Sequence, residues 1–575
     1  MISFSKISSF NLKRHLKRVH DNQYSKIENH INSYNKKDIS QNIKSSSSEK
    51  KQSILNFSQK TYEPTKTEGD NAIIDYVIET LVPLSTVDNP SFVKMIKTFS
   101  PSAKVMCRQT LIAKIGLRYD KMMDNIIEML SGVSYVCTTA DCWSGFRRSF
   151  LGVTAHWIDT KSLQRKSAAL ALRRVQGKHT FDVLAKMIID IHKSFKIQNK
   201  VIKTITDNGR NFVKAFRMFE DKSSEIDDDF QFVDIDDILN NRAESFDYLP
   251  QHSRCACHNL NLVATVDAEK ALGDRSFQIV SQSLFQKCQS LWNKQNMSTN
   301  MADEIIRKLG KYLICPNSTR WNSYYESMVL LDKMLDEKQK DLDELCDNHG
   351  LIRFNSQELK FIKEYSQVME PMKKALKIEG ELHMDMGFLS PTIFKLISKL
   401  NELSDLEFCQ PLVKSLISGI NKRFPNIYND DNIIAAIVHP AFKLNWEWIK
   451  DPKNMELKAR LINFLRKQIP DGKIATTSSR EPCNDLEDFF GFHEIDYHEN
   501  NILDRYFLNN DSKITIFEQF HELKNIYIKY NTPLPSSAPV ERLFSIAKQV
   551  LGEKRGCLLD SNLENLLLLK ANKRL

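Results

Sequence analysis

The 575-residue chain has no apolar run of about 18 residues, the length a helix needs to cross a bilayer. Its N-terminus also lacks the apolar segment and small-residue cleavage site of a secretory signal, so an intracellular protein without membrane contact is expected. Framework cysteine spacing is missing too. Eleven cysteines, an odd number scattered along the chain, argue against a disulfide scaffold and for reduced thiols in the nucleus or cytosol. No cysteine precedes Cys107, and no repeat is detectable between about 265 and 515. What is present is ordinary globular composition, 41% hydrophobic and 27% charged, on a length suited to about three or four domains. The formal net charge of +9 is compatible with a nucleic-acid partner without proving one. Local charge is more informative. Basic residues outnumber acidic ones by twelve to four in the first sixty positions, whereas Glu225 to Asp237 is acidic and reads as an exposed loop whose acids are not metal ligands.

The rest of the chain is organised around Ser134-Tyr-Val-Cys-Thr-Thr-Ala-Asp-Cys-Trp143, a β-prone run that ends on an acid, Asp141. A second β-prone run, Val201 to Thr206, also ends on an acid, Asp207, before Asn208 and Gly209 turn the chain away. Between them lie two further strand-like runs, Phe150 to Trp157 and Ser167 to Leu172, then helical spacing from Phe181 to Phe195. Strand, strand, strand, helix, strand is the order of an RNase H-like core, in which the first and fourth strands are neighbours and the acids meet. Facing carboxylates repel, and one takes up a proton unless a cation neutralises both. A hard divalent metal is the usual solution. The alternative is two solvated Asp at strand ends.

Residues 12–20, Leu-Lys-Arg-His15-Leu-Lys-Arg-Val-His20, have the H-x4-H spacing of the second half of a zinc finger. With no upstream Cys pair the zinc site is incomplete, so the segment is a truncated or decayed finger, or a basic helix with incidental His. Residues 26–69 read as a disordered linker and 70–130 as a small helical domain. Cys255 and His258 fall at C-x2-H spacing at a strand-to-helix junction, better suited to packing and hydrogen bonding than to a zinc site. Residues 265–515 are helical by periodicity. Within them Arg320 and Trp321 stand side by side, either core or a DNA-contacting pair, Arg to phosphate and indole to base. Near the end, Val540, Leu543, Phe544, Ala547, Val550 and Leu551 share a helical face that Gly552 can terminate, and Glu541 sits in its first turn. Asp560 or Ser561 can cap a last helix from Leu563 to Leu569, apolar enough to require packing inside the molecule or against a second chain.

Thr139-Ala-Asp-Cys-Trp143, Ser149-Phe-Leu-Gly-Val-Thr154, Thr206-Asp-Asn208, Cys255-Ala-Cys-His258, Ser318-Thr-Arg-Trp-Asn322 and Ser537-Ala-Pro-Val-Glu-Arg-Leu-Phe-Ser545 occur in one order. Together they resemble the hAT family of DNA transposases and the BED-finger proteins derived from them, over roughly residues 70 to 575. The resemblance implies an α/β fold: an RNase H-like core (131–264) interrupted by a large all-α insertion (265–515), with residues 516–575 closing the core and forming the family's C-terminal dimerisation region. It nominates Asp141, Asp207 and Glu541 as a catalytic triad holding Mg2+ or Mn2+ for DNA strand cleavage and transfer. It matches Trp321 to the family's Trp, implying stacking on DNA near the cleavage site where a base is flipped out, with Arg320 beside it as the other half of a DNA-contacting pair, and gives Cys255 and His258 a part in site architecture. His15 and His20 would ligate Zn2+ only with a Cys pair supplied upstream. The implied partners are DNA and a second copy of the chain, in the nucleus. The chain departs from the family in lacking the finger's Cys pair and a Trp-Trp pair ahead of the closing motif, where Ile516 to Tyr530 carries no Trp. A domesticated, non-catalytic DNA-binding and transcription-regulating dimer is the alternative.

Overall fold

A computed structural model describes residues 65–219, 248–316, 321–380, 384–469, 501–551 and 558–575. The His15/His20 segment, the linker up to residue 64, the acidic stretch 225–237, Arg320 and Gly552 lie outside the described residues.

Five strands form one sheet: β1 (Val136–Gly145), β2 (Arg148–Ile158), β3 (Arg165–Val175), β4 (Val201–Thr206) and β5 (His252–Arg254). Their spatial order is β3-β2-β1-β4-β5, so the first and fourth strands are neighbours, as the sequence order predicts. Antiparallel pairing joins β1 to β2 and β2 to β3, and parallel pairing joins β1 to β4 and β4 to β5. Strand β1 does not stop at Asp141. Its pairing with β4 ends at Thr139, but β2 continues to pair with it as far as Gly145. The three-residue β5 is too short to leave a periodic signal in the sequence.

The helices in chain order are α1 (Lys66–Thr80), α2 (Pro90–Phe99), α3 (Arg108–Ser131), α4 (Phe181–Ser194), α5 (Arg210–Phe219) and α6 (Ala256–Leu262). They continue with α7 (Arg275–Met297), α8 (Thr299–Leu309), α9 (Trp321–Asn348), α10 (Ser356–Gly380), α11 (Leu389–Asn401), α12 (Gln410–Arg423) and α13 (Asp430–Ile437). The last are α14 (Glu447–Lys450), α15 (Met455–Gln468), α16 (Ile502–Leu508), α17 (His521–Asn531), α18 (Ala538–Val550) and α19 (Asp560–Ala571). Among the described residues, every α-helix or β-strand between β5 and the C-terminus is a helix. None is long and apolar enough to cross a membrane. Helix α1 starts within the stretch read as linker, because Thr65 and Glu68 form a reciprocal capping box that satisfies first-turn amides.

Strand β2 is buried along Phe150–Ile158 because both faces of the sheet are covered. Leu151, Val153, Ala155 and Trp157 face a layer containing Ile188 and Ile191 of α4 and Phe212 and Phe216 of α5. On the other face Phe150 packs with Val77 of α1, Leu111 of α3, Val540 and Phe544 of α18, and Leu566 of α19. Asp560 does not cap α19: Leu559 occupies the cap position, and Asp560 pairs instead with Arg148 at 3.0 Å. The leucines of α19 pack within the chain. Glu564 accepts the Leu172 amide (3.1 Å), and Asn572 both accepts from and donates to Ala169 (2.8 Å each), so the outer edge of β3 is covered.

The opposite end of β3 is tied to distant chain by a buried ion pair. The Arg165 guanidinium donates to Asp385 (2.7 Å), to the Thr532 carbonyl (2.7 Å) and to the Asn531 carbonyl. Tyr527 donates a further bond to Asp385 at 2.5 Å. Burial pulls the Asp385 carboxyl upward, but Arg165 and His439 outweigh it and hold the group down at about 2. Arg165→Met, which removes the guanidinium and leaves only His439 and Tyr527 beside this charge, is expected to cost about 3–5 kcal/mol in urea unfolding, and the double change with Asp385→Leu distinctly less.

Candidate active site

Register brings the two acids together. The β1/β4 ladder begins at Val136 opposite Val201 and then shifts by one, pairing Cys137 with Lys203 and Thr139 with Ile205. Asp141 and Asp207 each lie two residues further on, at equivalent positions and on one face of the sheet. Without the shift Asp141 would align with Thr206, and Asp207 would point to the opposite face. One oxygen of each acid is held by a nearby backbone amide, Cys142 N–H to Asp141 (2.7 Å) and Gly209 N–H to Asp207 (2.9 Å).

The third acid arrives on α18. Directly across β2 from Asp141 is Gly152. A Cβ there would lie 2.6 Å from the Phe544 ring and 2.8 Å from Val540 Cγ2, so only glycine lets α18 come this close. Glu541 follows Val540 in the first turn and is exposed. The Trp143 ring stacks between Phe150 (6.0 Å) and Phe544 (6.1 Å) and further fixes the helix on the strand.

The electrostatics match two or three acids crowded at one edge. Burial pushes the Asp141 carboxyl up, and Asp207 and then Glu541 push in the same direction, to about 7. Such a donor set fits a hard cation in type: oxygen ligands whose mutual repulsion a positive charge would relieve. In spacing it is open. Among the described residues no group of three or more His, Cys, Asp or Glu side chains is gathered closely enough to hold a metal ion.

Cys255 ties this edge to the segment ahead of α18. Its sulfur accepts the His258 amide (3.4 Å), in the manner of an N-cap for α6, together with the Ser537 amide (3.3 Å), and lies 3.5 Å from the Ser536 hydroxyl. Hydrogen bonding from Cys257 and from these serines holds its pKa below the ordinary thiol value. His258 thus contributes a backbone amide to the junction, and its ring is half-buried. Behind the cysteines is a group the sequence reading missed. Glu379, at the end of α10, is fully buried, and burial raises its carboxyl to about 8. Gly380 beside it accepts a hydrogen bond from the Arg542 guanidinium (2.6 Å), linking α10 to the residue after Glu541. Nothing in the helical periodicity of 356–380 distinguishes Glu379 from a solvated acid. Trp321 opens α9 with only 5% of its surface exposed, its ring 6.4 Å from Tyr325 in the helical core.

Comparison with known proteins agrees with this architecture. The profile of the ZBED1 RNase-like domain matches residues 139–228, a span that includes Asp141 and Asp207. A Zea mays protein named as an AC9 transposase is 27% identical over 337 residues, 56% of this chain and 36% of that protein. A Zea mays AC transposase is 28% identical over 246 residues, 42% of this chain and 28% of that protein. The Oryza sativa subsp. japonica zinc finger BED domain-containing protein RICESLEEPER 2 is 21% identical over 383 residues, 63% of this chain and 48% of that protein. These matches support a hAT-family, transposase-derived protein. Its matches span about a third of the length of the two Zea mays relatives.

The seating of α18 is open to a direct test. Gly152→Ala is expected to destabilise the fold by about 1–3 kcal/mol through overpacking against Val540 and Phe544. Thermal melting reads that cost, and restoration of stability by Phe544→Leu in the same chain identifies the contact. The raised Asp141 carboxyl gives a second test. Between about pH 4 and 7 the folded chain holds a proton that the unfolded chain has lost, so stability falls as pH rises across that interval. Asp141→Asn should flatten this dependence and be the more stable chain above pH 7, by roughly 1–4 kcal/mol, in metal-free denaturation.

Proposed function

We propose that the chain is a hAT-type transposase that cuts and joins DNA, with Asp141, Asp207 and Glu541 as its catalytic carboxylates. One observation carries the reading: an acid raised to about 7 by burial and by two further acids, at a sheet edge built by a register shift and a glycine contact. The fold is read as an RNase H-like core interrupted by the helical span 265–515, with residues 70–130 as a small helical domain ahead of the sheet that packs against it. Mg2+ or Mn2+ held by the three acids would supply activation of water or a DNA 3′-hydroxyl and stabilise the leaving oxygen. The chain's own residues do the positioning. Exposed Arg147, Lys178 and Arg210 lie around the same edge and provide phosphate contacts. Arg320 is assigned a phosphate contact and Trp321 a base contact that requires its helix end to open. Cys255 and His258 hold the strand-to-helix junction beside the acids. Zn2+ enters only if an upstream Cys pair completes His15 and His20. The partners are nuclear DNA and a second copy of the chain bound through residues 516–575, where Leu559 and Leu575 are exposed.

A second reading has its own support. The acids are not gathered at metal-binding distance among the described residues, as expected of a domesticated DNA-binding, transcription-regulating dimer that keeps the fold. Nicking and strand transfer on DNA carrying the gene's own flanking ends, with Mg2+ or Mn2+, separates the two. The first reading expects activity that falls on the order of 10²-fold or more in Asp141→Asn and in Glu541→Gln. A folded wild-type chain that binds this DNA but neither nicks nor joins it establishes the second.

A further inference from the structure

Beyond Asp141, strand β1 runs four more residues and turns through Phe146-Arg147 into β2, with Gly145 paired to Arg148. Both turn residues are left-handed, at φ 52° and 62°. A two-residue hairpin turn of this kind favours Asn-Gly, because a Cβ on left-handed backbone crowds the following carbonyl. Here the two positions carry a phenyl ring and a guanidinium. Neither serves the core: Phe146 is 48% exposed and Arg147 is exposed. The neighbouring cations are engaged within the fold, Arg148 with Asp560 at 3.0 Å and Arg174 with the backbone carbonyls of Arg147 and Ser149 at 3.4 Å each, whereas the Arg147 side chain is exposed. The base of the turn is closely packed. The Trp143 ring lies so close to Gly145 that a Cβ there would stand 2.6 Å from it, and the same ring stacks on Phe150 and Phe544. A disfavoured backbone that displays an aromatic and a cation on a braced support is strain retained for something outside the fold.

We propose that the Phe146-Arg147 tip is a DNA-docking point, with Arg147 on a backbone phosphate and Phe146 stacked on the face of an unpaired base. The inference rests on the DNA-acting reading above and adds to it a base contact by Phe146, at a stated distance from the acids. A phenyl ring offers a π-face, and only a base that has left the duplex stack has a face to return. Four extended residues place the tip about 13 Å past Asp141, or roughly four base steps along the strand. The DNA it fits is therefore opened near the reacting phosphate.

The test uses the full-length chain and two labelled duplexes, one fully paired and one with a single unpaired thymine four nucleotides from a nick. Anisotropy titrations are run at several salt concentrations. Phe146→Asn with Arg147→Gly restores the residues the turn itself prefers, so its melting temperature should equal or exceed that of wild type. That double variant should nevertheless lose the preference for the unpaired thymine by about tenfold, and the slope of log affinity against log salt should shrink by about one. Arg147→Ala alone should change the slope and keep the preference. If the double variant binds both duplexes as wild type does, or wild type shows no preference for the unpaired thymine, the tip is not a docking point, although a DNA-acting protein remains. Wild type that binds neither duplex ends both readings.

Discussion

The site depends on one close approach. Helix α18 lies on the sheet only because Gly152 leaves room for Val540 and Phe544 where any other residue would put a Cβ within 3 Å of them. That contact sets the height of the helix, and so the position of Glu541, which follows Val540 directly. Since Gly152 pairs with Asp141 across β2, the absence of a side chain on one strand determines what faces the acid on the next. Trp143 reinforces the arrangement from the far side by stacking on Phe544. The same ring underlies Gly145 and braces the exposed hairpin tip. Acid, helix and hairpin therefore share one packing unit.

Much of the fold was legible because alternation and β-branching mark strands strongly. The order of four strands and the intervening helix reads directly from residues 134 to 206, and that order brings the first and fourth strands together. The face on which Asp207 stands was not legible. It depends on a one-residue shift after Val136 and Val201, and bulges leave no periodic mark in a strand only six residues long. The length of β1 is hidden from the sequence for a related reason. Asp141 breaks an apolar run, yet the strand continues because β2 supplies its partner, and partner strands are a tertiary fact. Glu541 had no signal of its own beyond a first-turn acid, and it was reached through the resemblance of its surrounding motif. Glu379 was missed because burial of a single acid in a charged helix depends on what packs around its end.

Two buried acids in this chain show how environment separates scaffold from site. Asp385 is surrounded by Arg165, Tyr527 and His439, and its pKa falls to about 2 despite burial. Its charge is satisfied, and it joins β3 to the end of α17. Asp141 is half-buried, faces two other acids, and its pKa rises to about 7. The described residues around Asp385 supply a cation, while those that raise Asp141 are two acids and the Cys255 thiol, opposed only by the Cys142 backbone amide. A fold under selection for stability alone would replace a carboxylate that burial and like charge both disfavour. Retaining it is understandable where a positive ligand brings the missing charge.

The open spacing of the acids and their electrostatic coupling are compatible within that argument. Repulsion among unneutralised carboxylates favours a wider arrangement, and the group most easily displaced is Glu541, exposed on the first turn of α18. Its neighbour Arg542 is held by the Gly380 carbonyl at the end of α10. One helix of the long helical region therefore touches, at its C-terminal end, the helix that carries the third acid. Any rearrangement of α10 on binding a ligand would alter how far Glu541 stands from Asp141. This coupling between the helical region and the sheet edge is where the chemistry of the site and the packing of the rest of the chain meet.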